Sequence, residues 1–168
     1  MRHAVVKAGE CNLDICEEDI IKNCVVSDVK IGEFSICSEN SPAIVEETAC
    51  LSKILQSFSH NINANYAVKT VDGKLAGVIT LEHFKESLQI MELSDAIMAM
   101  DILEPSAATC RPNDALSDVM KTFETFDTEA LPIVDEGGKV LGMIEKNIID
   151  HYLHAQVFAL HQKLASME

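Results

Sequence analysis

Val71-Asp72-Gly73-Lys74-Leu75-Ala76-Gly77-Val78-Ile79-Thr80 returns 65 positions later as Glu136-Gly137-Gly138-Lys139-Val140-Leu141-Gly142-Met143-Ile144-Glu145. Upstream, Leu51-Ser52-Lys53-Ile54-Leu55-Gln56-Ser57-Phe58 returns at the same offset as Leu116-Ser117-Asp118-Val119-Met120-Lys121-Thr122-Phe123. Two stretches held in one register without a gap mean that one structural unit was duplicated. A duplicated unit of this size predicts a paired module with a cleft between its halves, rather than a single-site enzyme.

Working outward, each copy carries the same punctuation. Leu51, Ile54, Leu55 and Phe58 fall at i, i+3, i+4 and i+7, the spacing of one helix face; Leu116, Val119, Met120 and Phe123 repeat it. Thr48 and Asn113 stand at matched positions as candidate N-caps. A hairpin follows each helix. In the first copy Ala67 to Val71 and Leu75 to Ile79 flank Asp72-Gly73, read as a two-residue turn; in the second Leu131 to Val134 and Val140 to Ile144 flank Asp135 to Gly138. A further helix is predicted from Thr80 to about Ile90, and another from Glu145 to about Leu164. The order per unit is strand, helix, strand, strand, helix, an α/β (α+β) class. The first unit has about eight extra residues between Asp28 and its helix, with Ile31 to Pro42 as the insertion. The reading divides the chain into an extension (1–23), a first unit (24–91), a second unit (92–158) and the end of the last helix (159–168).

The chain has 168 residues and 48% hydrophobic residues, enough for a core. Each copy alone, at about 60 residues, buries too little to stand well by itself, so the two should fold against each other. The net charge of -14, from 13 basic and 27 acidic residues, repels phosphate backbones, which argues against a nucleic-acid partner. No run of about 18 apolar residues is present to span a bilayer, and the first residues lack the apolar core of an export signal. Six cysteines form no C-x-x-C pair, which fits reduced cytosolic thiols. A zinc site from Cys11, Cys16 and Cys24 matches no standard spacing. His151, His154 and His161 lie nearly on one face of the last predicted helix, read as a solvated or partner-facing surface. The stripe of Ile149, Tyr152, Leu153, Val157, Leu160 and Leu164 on that helix predicts part of a homodimer contact.

These residues resemble a known family. Leu131-Pro132-Ile133-Val134-Asp135-Glu136-Gly137-Gly138-Lys139-Val140-Leu141-Gly142-Met143-Ile144 and Asp72 to Thr80 are similar to the CBS domain, and residues 24 to 158 look like a tandem CBS pair, or Bateman module. The resemblance implies two units, each a small three-stranded sheet with two helices, packed about a pseudo-two-fold axis. The connector Leu93-Ser94-Asp95-Ala96-Ile97-Met98-Ala99-Met100-Asp101-Ile102-Leu103-Glu104-Pro105 and the lead-in Asp19 to Val29 are similar to segments in the cytosolic tails of chloride-channel-type (CLC) transporters. That implies a cytoplasmic regulatory module joined to a transmembrane transport domain. The alternative is a free-standing CBS protein or the regulatory module of a nucleotide-metabolism enzyme.

The same resemblance implies a ligand between the units: ATP, ADP, AMP or adenosine. The family pattern is Gly-x-x-Thr/Ser-x-x-Asp, where a hydroxyl meets phosphate and a carboxylate takes both ribose hydroxyls. The first copy keeps Thr80 but has His83 in place of the carboxylate; the second has Glu145 and Ile148 at the two positions. Thr80 and Glu145 equally suit plain roles at a helix start, as cap and as dipole complement. An apolar slot with backbone amides near Tyr66-Ala67 or Leu131-Pro132 would suit an adenosine-like molecule. The implied ligand residues are therefore Tyr66, Ala67, Thr80, His83, Leu131, Pro132 and Glu145. No metal ligand set is assigned. No Ser/His/Asp or Cys/His arrangement, P-loop or G-x-G-x-x-G after a strand is found, which points away from catalysis.

Overall fold

The computed structural model describes residues 13–31, 34–38, 41–60, 64–87 and 95–166. The chain opens with α1 (Leu13–Asn23), a 3-10 turn (Val26–Asp28) and a short hairpin of β1 (Lys30–Ile31) and β2 (Phe34–Ser35). The first repeat supplies β3 (Ile44–Glu46), α2 (Leu51–His60), β4 (Asn65–Lys69), β5 (Leu75–Thr80) and α3 (Leu81–Ser87). A connector with the short α4 (Ala99–Ile102) leads to α5 (Leu116–Phe126), β6 (Ala130–Val134), β7 (Val140–Glu145) and α6 (Lys146–Ala165).

The first unit is a three-stranded sheet, β3 parallel to β4 and β4 antiparallel to β5. The second keeps the β6-β7 hairpin, and its third strand shrinks to one residue. Cys110 bridges Ile133 in parallel, donating to Pro132 O at 3.0 Å and accepting from Val134 N–H at 2.9 Å. The expected α/β class and the paired architecture are observed.

The turns differ from the sequence expectation. Thr70 N–H donates to Lys74 O and Asp135 N–H to Lys139 O, so each loop has three residues, against the two expected at Asp72-Gly73 and the four of Asp135 to Gly138. Its last residue, Gly73 or Gly138, sits at φ +80° or +82°, where a side chain would be strained. The two tips pair with each other: Leu75 N–H reaches Gly138 O at 3.3 Å and Val140 N–H reaches Gly73 O at 3.0 Å. Ala43, Ala67, Val140 and Met143 fill the surface between the units.

Packing cuts across the repeat. Val26, Val29 and Ile36, from the first half of the sequence, are buried with Leu116, Phe123, Ile133 and Ile149 in the core of the second unit. Ala99, with Ile97, Ile102 and Leu103 from the connector, packs among Leu51, Ile54, Val68 and Ile79 of the first. Each lead-in thus completes the other unit's core. Matched hydrogen bonds fix the exchange. Val26 N–H to Asp114 O (3.0 Å) has its counterpart in Ala99 N–H to Ala49 O (2.8 Å), and Ser27 N–H to Pro112 O (2.9 Å) in Met100 N–H to Glu47 O (3.0 Å). The lead-ins align at an offset of 73 rather than 65 because the insertion carries the β1-β2 hairpin.

The exchange also replaces the expected helix caps. Thr48 lies upstream of α2, and Ala115, not Asn113, occupies the N-cap of α5 without a side-chain bond. Instead Leu51 N–H donates to Ile97 O at 2.8 Å and Leu116 N–H to Cys24 O at 3.0 Å. A main-chain carbonyl from the opposite lead-in serves a helix-start donor that has no partner within its own helix.

Much of the apolar stripe on α6 is covered within the chain. Ile149, Leu153 and Val157 are buried, with Ile20 and Ile21 of α1 against the same core. Their part in a homodimer contact is replaced by intrachain packing, since α1 supplies the apolar partner. Phe158 and Leu160 remain 64% and 45% exposed, and the side chain of Leu164 lies outside the described residues.

Candidate functional site

Antiparallel pairing sets Asn65 opposite Thr80 and Ala130 opposite Glu145. Leu81 N–H donates to Ala64 O and Lys146 N–H to Glu129 O, both at 2.9 Å. The two halves therefore share one backbone frame at this level, and the side chains make the difference.

Glu145 is 2% exposed. Its Oε1 accepts the backbone N–H of Ala64 at 3.0 Å, the backbone N–H of Asn65 at 2.8 Å and Asn65 Nδ2 at 3.2 Å, all from the opposite unit. Burial raises its pKa above the ordinary carboxylate value, while bonds from Asn65, Ala64 and the Asn147 side chain oppose the rise. A buried carboxylate is tolerable because N–H donors fill its lone pairs. Asn65 was not singled out from sequence. A lone Asn at a strand start carries no signal until the fold brings residue 145 to it.

Thr80, half-buried, closes β5 in the corresponding place. Tyr66, Ala67 and Leu131 are buried in the core, with Pro132 beside them. The Tyr66 ring stacks edge-on to Phe58 at 4.4 Å, and Phe58 meets Phe84 at 4.8 Å. The backbone of His83 lies in α3; its side chain is outside the described residues. The structure thus brings Glu145 onto the strand start beside Tyr66, and places Thr80 next to Asn65 in register.

At the far end of β4 a cavity of about 140 Å³ is lined by Glu46, Glu47, Lys69, Thr70 and Val71. Ligand pockets for drug-sized molecules run from about 300 Å³ upward, so this hollow, crossed by the Lys69–Glu46 pair at 4.0 Å, is too small for a nucleotide. Among the described residues no group of three His, Cys, Asp or Glu is placed to hold a metal ion. Cys24, Cys37, Cys50 and Cys110 are free thiols. His151 and His154 are exposed on α6, and His161 is half-buried.

Two glycines hold the exchanged segments close. A Cβ on Gly77 would strike Glu104 O, and one on Gly142 would strike Ile36 O. At the first contact Val78 and Glu104 exchange N–H···O bonds of 2.8 and 2.9 Å; near the second, Ser38 N–H donates to Leu141 O at 2.7 Å. Each lead-in runs along the last strand of the other unit and positions the surface between them.

Residues 99–154 match the family model of the CBS domain. Solved structures of CBS domains share the fold of the whole. One is a hemolysin-like protein containing a CBS domain from Oenococcus oeni PSU, 16% identical with a TM-score of 0.64, covering 83% of this chain and 96% of that one. Another is the CBS domain of a bacterial CNNM/CorC family Mg2+ transporter in complex with ATP, 16% identical, TM-score 0.64, covering 83% and 93%. A third is a CBS domain pair in complex with 5'-methylthioadenosine and S-adenosyl-L-methionine, 19% identical, TM-score 0.61, covering 79% and 98%. At these identities the likeness establishes the CBS-pair fold alone. Among curated proteins, a homoserine O-acetyltransferase from Methanohalobium evestigatum is 20% identical over 149 residues. The match covers 89% of this chain and 28% of that relative's length. No helix among the described residues is long and apolar enough to cross a membrane.

Proposed function

We propose that the chain is a non-catalytic regulatory module that senses an adenine nucleotide or adenosine-like molecule between its two units. The observation that carries this reading is the exchange of lead-ins across paired units. A ligand held between them alters their relative angle and, through each lead-in, the other core. Preference for one angle is all that ligand regulation requires. The candidate ligand residues are Tyr66, Ala67, Thr80 and His83 from the first unit and Leu131, Pro132 and Glu145 from the second. CBS neighbours complexed with ATP and with adenosine derivatives support the ligand class.

The proposed carrier is a membrane ion transporter, with the module on its cytoplasmic side. The CNNM/CorC neighbour supports a transporter setting, and the connector 93–105 supports the chloride-channel type. In this reading 1–23 is the linker, 24–91 and 92–158 are the CBS units, and 159–168 ends the last helix. Phe158 and Leu160 supply an apolar contact for a homodimer. A second reading, a regulatory module attached to an enzyme, is favoured by the acetyltransferase relative, of which this chain spans a minor part.

Calorimetry and thermal melting with ATP, ADP, AMP and adenosine test the sensing role. Absence of both heat and a melting shift at millimolar ligand removes it and leaves a scaffold. Chain mass by sedimentation, on wild type and Phe158→Asp, tests the dimer: a wild-type monomer at high concentration removes that role.

A further inference from the structure

The repeat offset sets Thr80 of the first half against Glu145 of the second. Two consecutive backbone N–H groups, from Ala64 and Asn65, and the Asn65 side-chain amide converge on one point. Such convergent donors are suited to an anionic or strongly polar ligand group. Here the point is taken by the chain's own carboxylate, which arrives from the opposite unit and is almost fully enclosed. In the other half the matching backbone belongs to Glu129 and Ala130, and the residue in place of Glu145 is Thr80, shorter and uncharged. Ala130 N–H lies 3.4 Å from the neighbouring Thr128 Oγ1. The backbone frame is otherwise the same, as the paired 2.9 Å bonds from Leu81 and Lys146 indicate.

We propose that Glu145 is a tethered occupant of one half of the inter-unit surface, so that each chain offers one ligand position, in the half formed by Thr80 and the 129–131 segment. This rests on the ligand-sensing reading above and adds its stoichiometry. The carboxylate holds the place that a ligand's phosphate or polar edge takes in the Thr80 half. It also ties the units together on its own side, so ligand binding on the other side acts against a fixed point.

The test is calorimetric stoichiometry on the whole chain, with AMP as the probe. Wild type is expected to bind one AMP per chain, Glu145→Thr two, and Thr80→Glu none. Glu145→Gln, which keeps an acceptor oxygen in place, is expected to remain at one. Two AMP on wild type, or a folded Glu145→Thr that gains no site, overturns the proposal. If Glu145→Thr does not fold, Thr80→Glu decides: retained AMP binding overturns the assignment of the Thr80 half, and lost binding with an unchanged circular dichroism spectrum supports it. If wild type binds no AMP, the sensing role fails at the Thr80 half. One site gained by Glu145→Thr then still supports the tethered occupant, and none gained overturns it.

Discussion

The Glu145 carboxylate accepts the backbone N–H of Asn65, 80 positions earlier, at 2.8 Å. This bond crosses from one unit to the other and is buried. Burial raises the Glu145 pKa above 4.5, although N–H bonds from Asn65 and Ala64 oppose the rise. Between the unfolded and folded values the folded chain keeps a proton that the unfolded chain has released, so stability falls as pH rises through that window. Glu145→Gln lacks this titration. The melting temperature of wild type relative to Glu145→Gln is expected to fall as pH is raised above about 4.5. A difference that stays flat or rises over that range refutes the assignment.

Close backbone contact at Gly142 gives a second expectation. Gly142→Ala drives a methyl group into Ile36 O, a main-chain atom held in the second core. It should destabilise the chain by about 2 kcal/mol or more, as overpacking does. Gly138→Ala meets no atom within 4 Å but requires a positive φ of +82°, and should cost about 1 kcal/mol. Urea unfolding of the two variants checks the order.

The exchanged lead-ins predict that the second repeat does not stand alone. A fragment of residues 92–168 lacks Val26, Val29 and Ile36, which the second core buries. It should show poor amide dispersion by NMR and no cooperative melt. In the whole chain, Val26→Ala should cost about 2 kcal/mol, the value of one buried aliphatic side chain. A well-folded fragment would show that the lead-in is dispensable.

Thiol chemistry separates two cysteines, Cys50 just before α2 and Cys110 beside β6. Cys50 lies beside Ser52 Oγ at 3.2 Å, and bonds from Ser52 and the Lys53 backbone lower its pKa. Cys110 is buried, and loss of solvation drives its pKa up. Iodoacetamide at about pH 8 should label Cys50 at least ~10-fold faster than Cys110, because the thiolate is the nucleophile. Mass spectrometry resolves the two sites, and equal rates would contradict the buried place of Cys110.

The duplication was legible because it rests on local signals. Helix faces at Leu51 to Phe58 and Leu116 to Phe123, glycine turns and alternating strands are readable within windows of a few residues. The lead-in exchange was not. Val26 and Ala99 carry small apolar side chains that suit either core, and only the fold places them on the opposite one. The caps misled for the same reason: Thr48 and Asn113 suit capping, but carbonyls of Ile97 and Cys24 arrive from far along the chain. At the candidate site, the contrast of Thr80 with Glu145 was visible in the repeat. Its meaning depended on Asn65, which nothing in the sequence marks as a partner.

Because α1 packs with the second core and α6 belongs to it, both ends of the described chain leave from the same unit. A neighbour joined at either end grips that unit, and the first unit is carried as an outboard body, attached through the connector and the shared surface. Leverage at a flank is then set by how the outboard body is seated, and a ligand that shifts it changes the load felt at both flanks together.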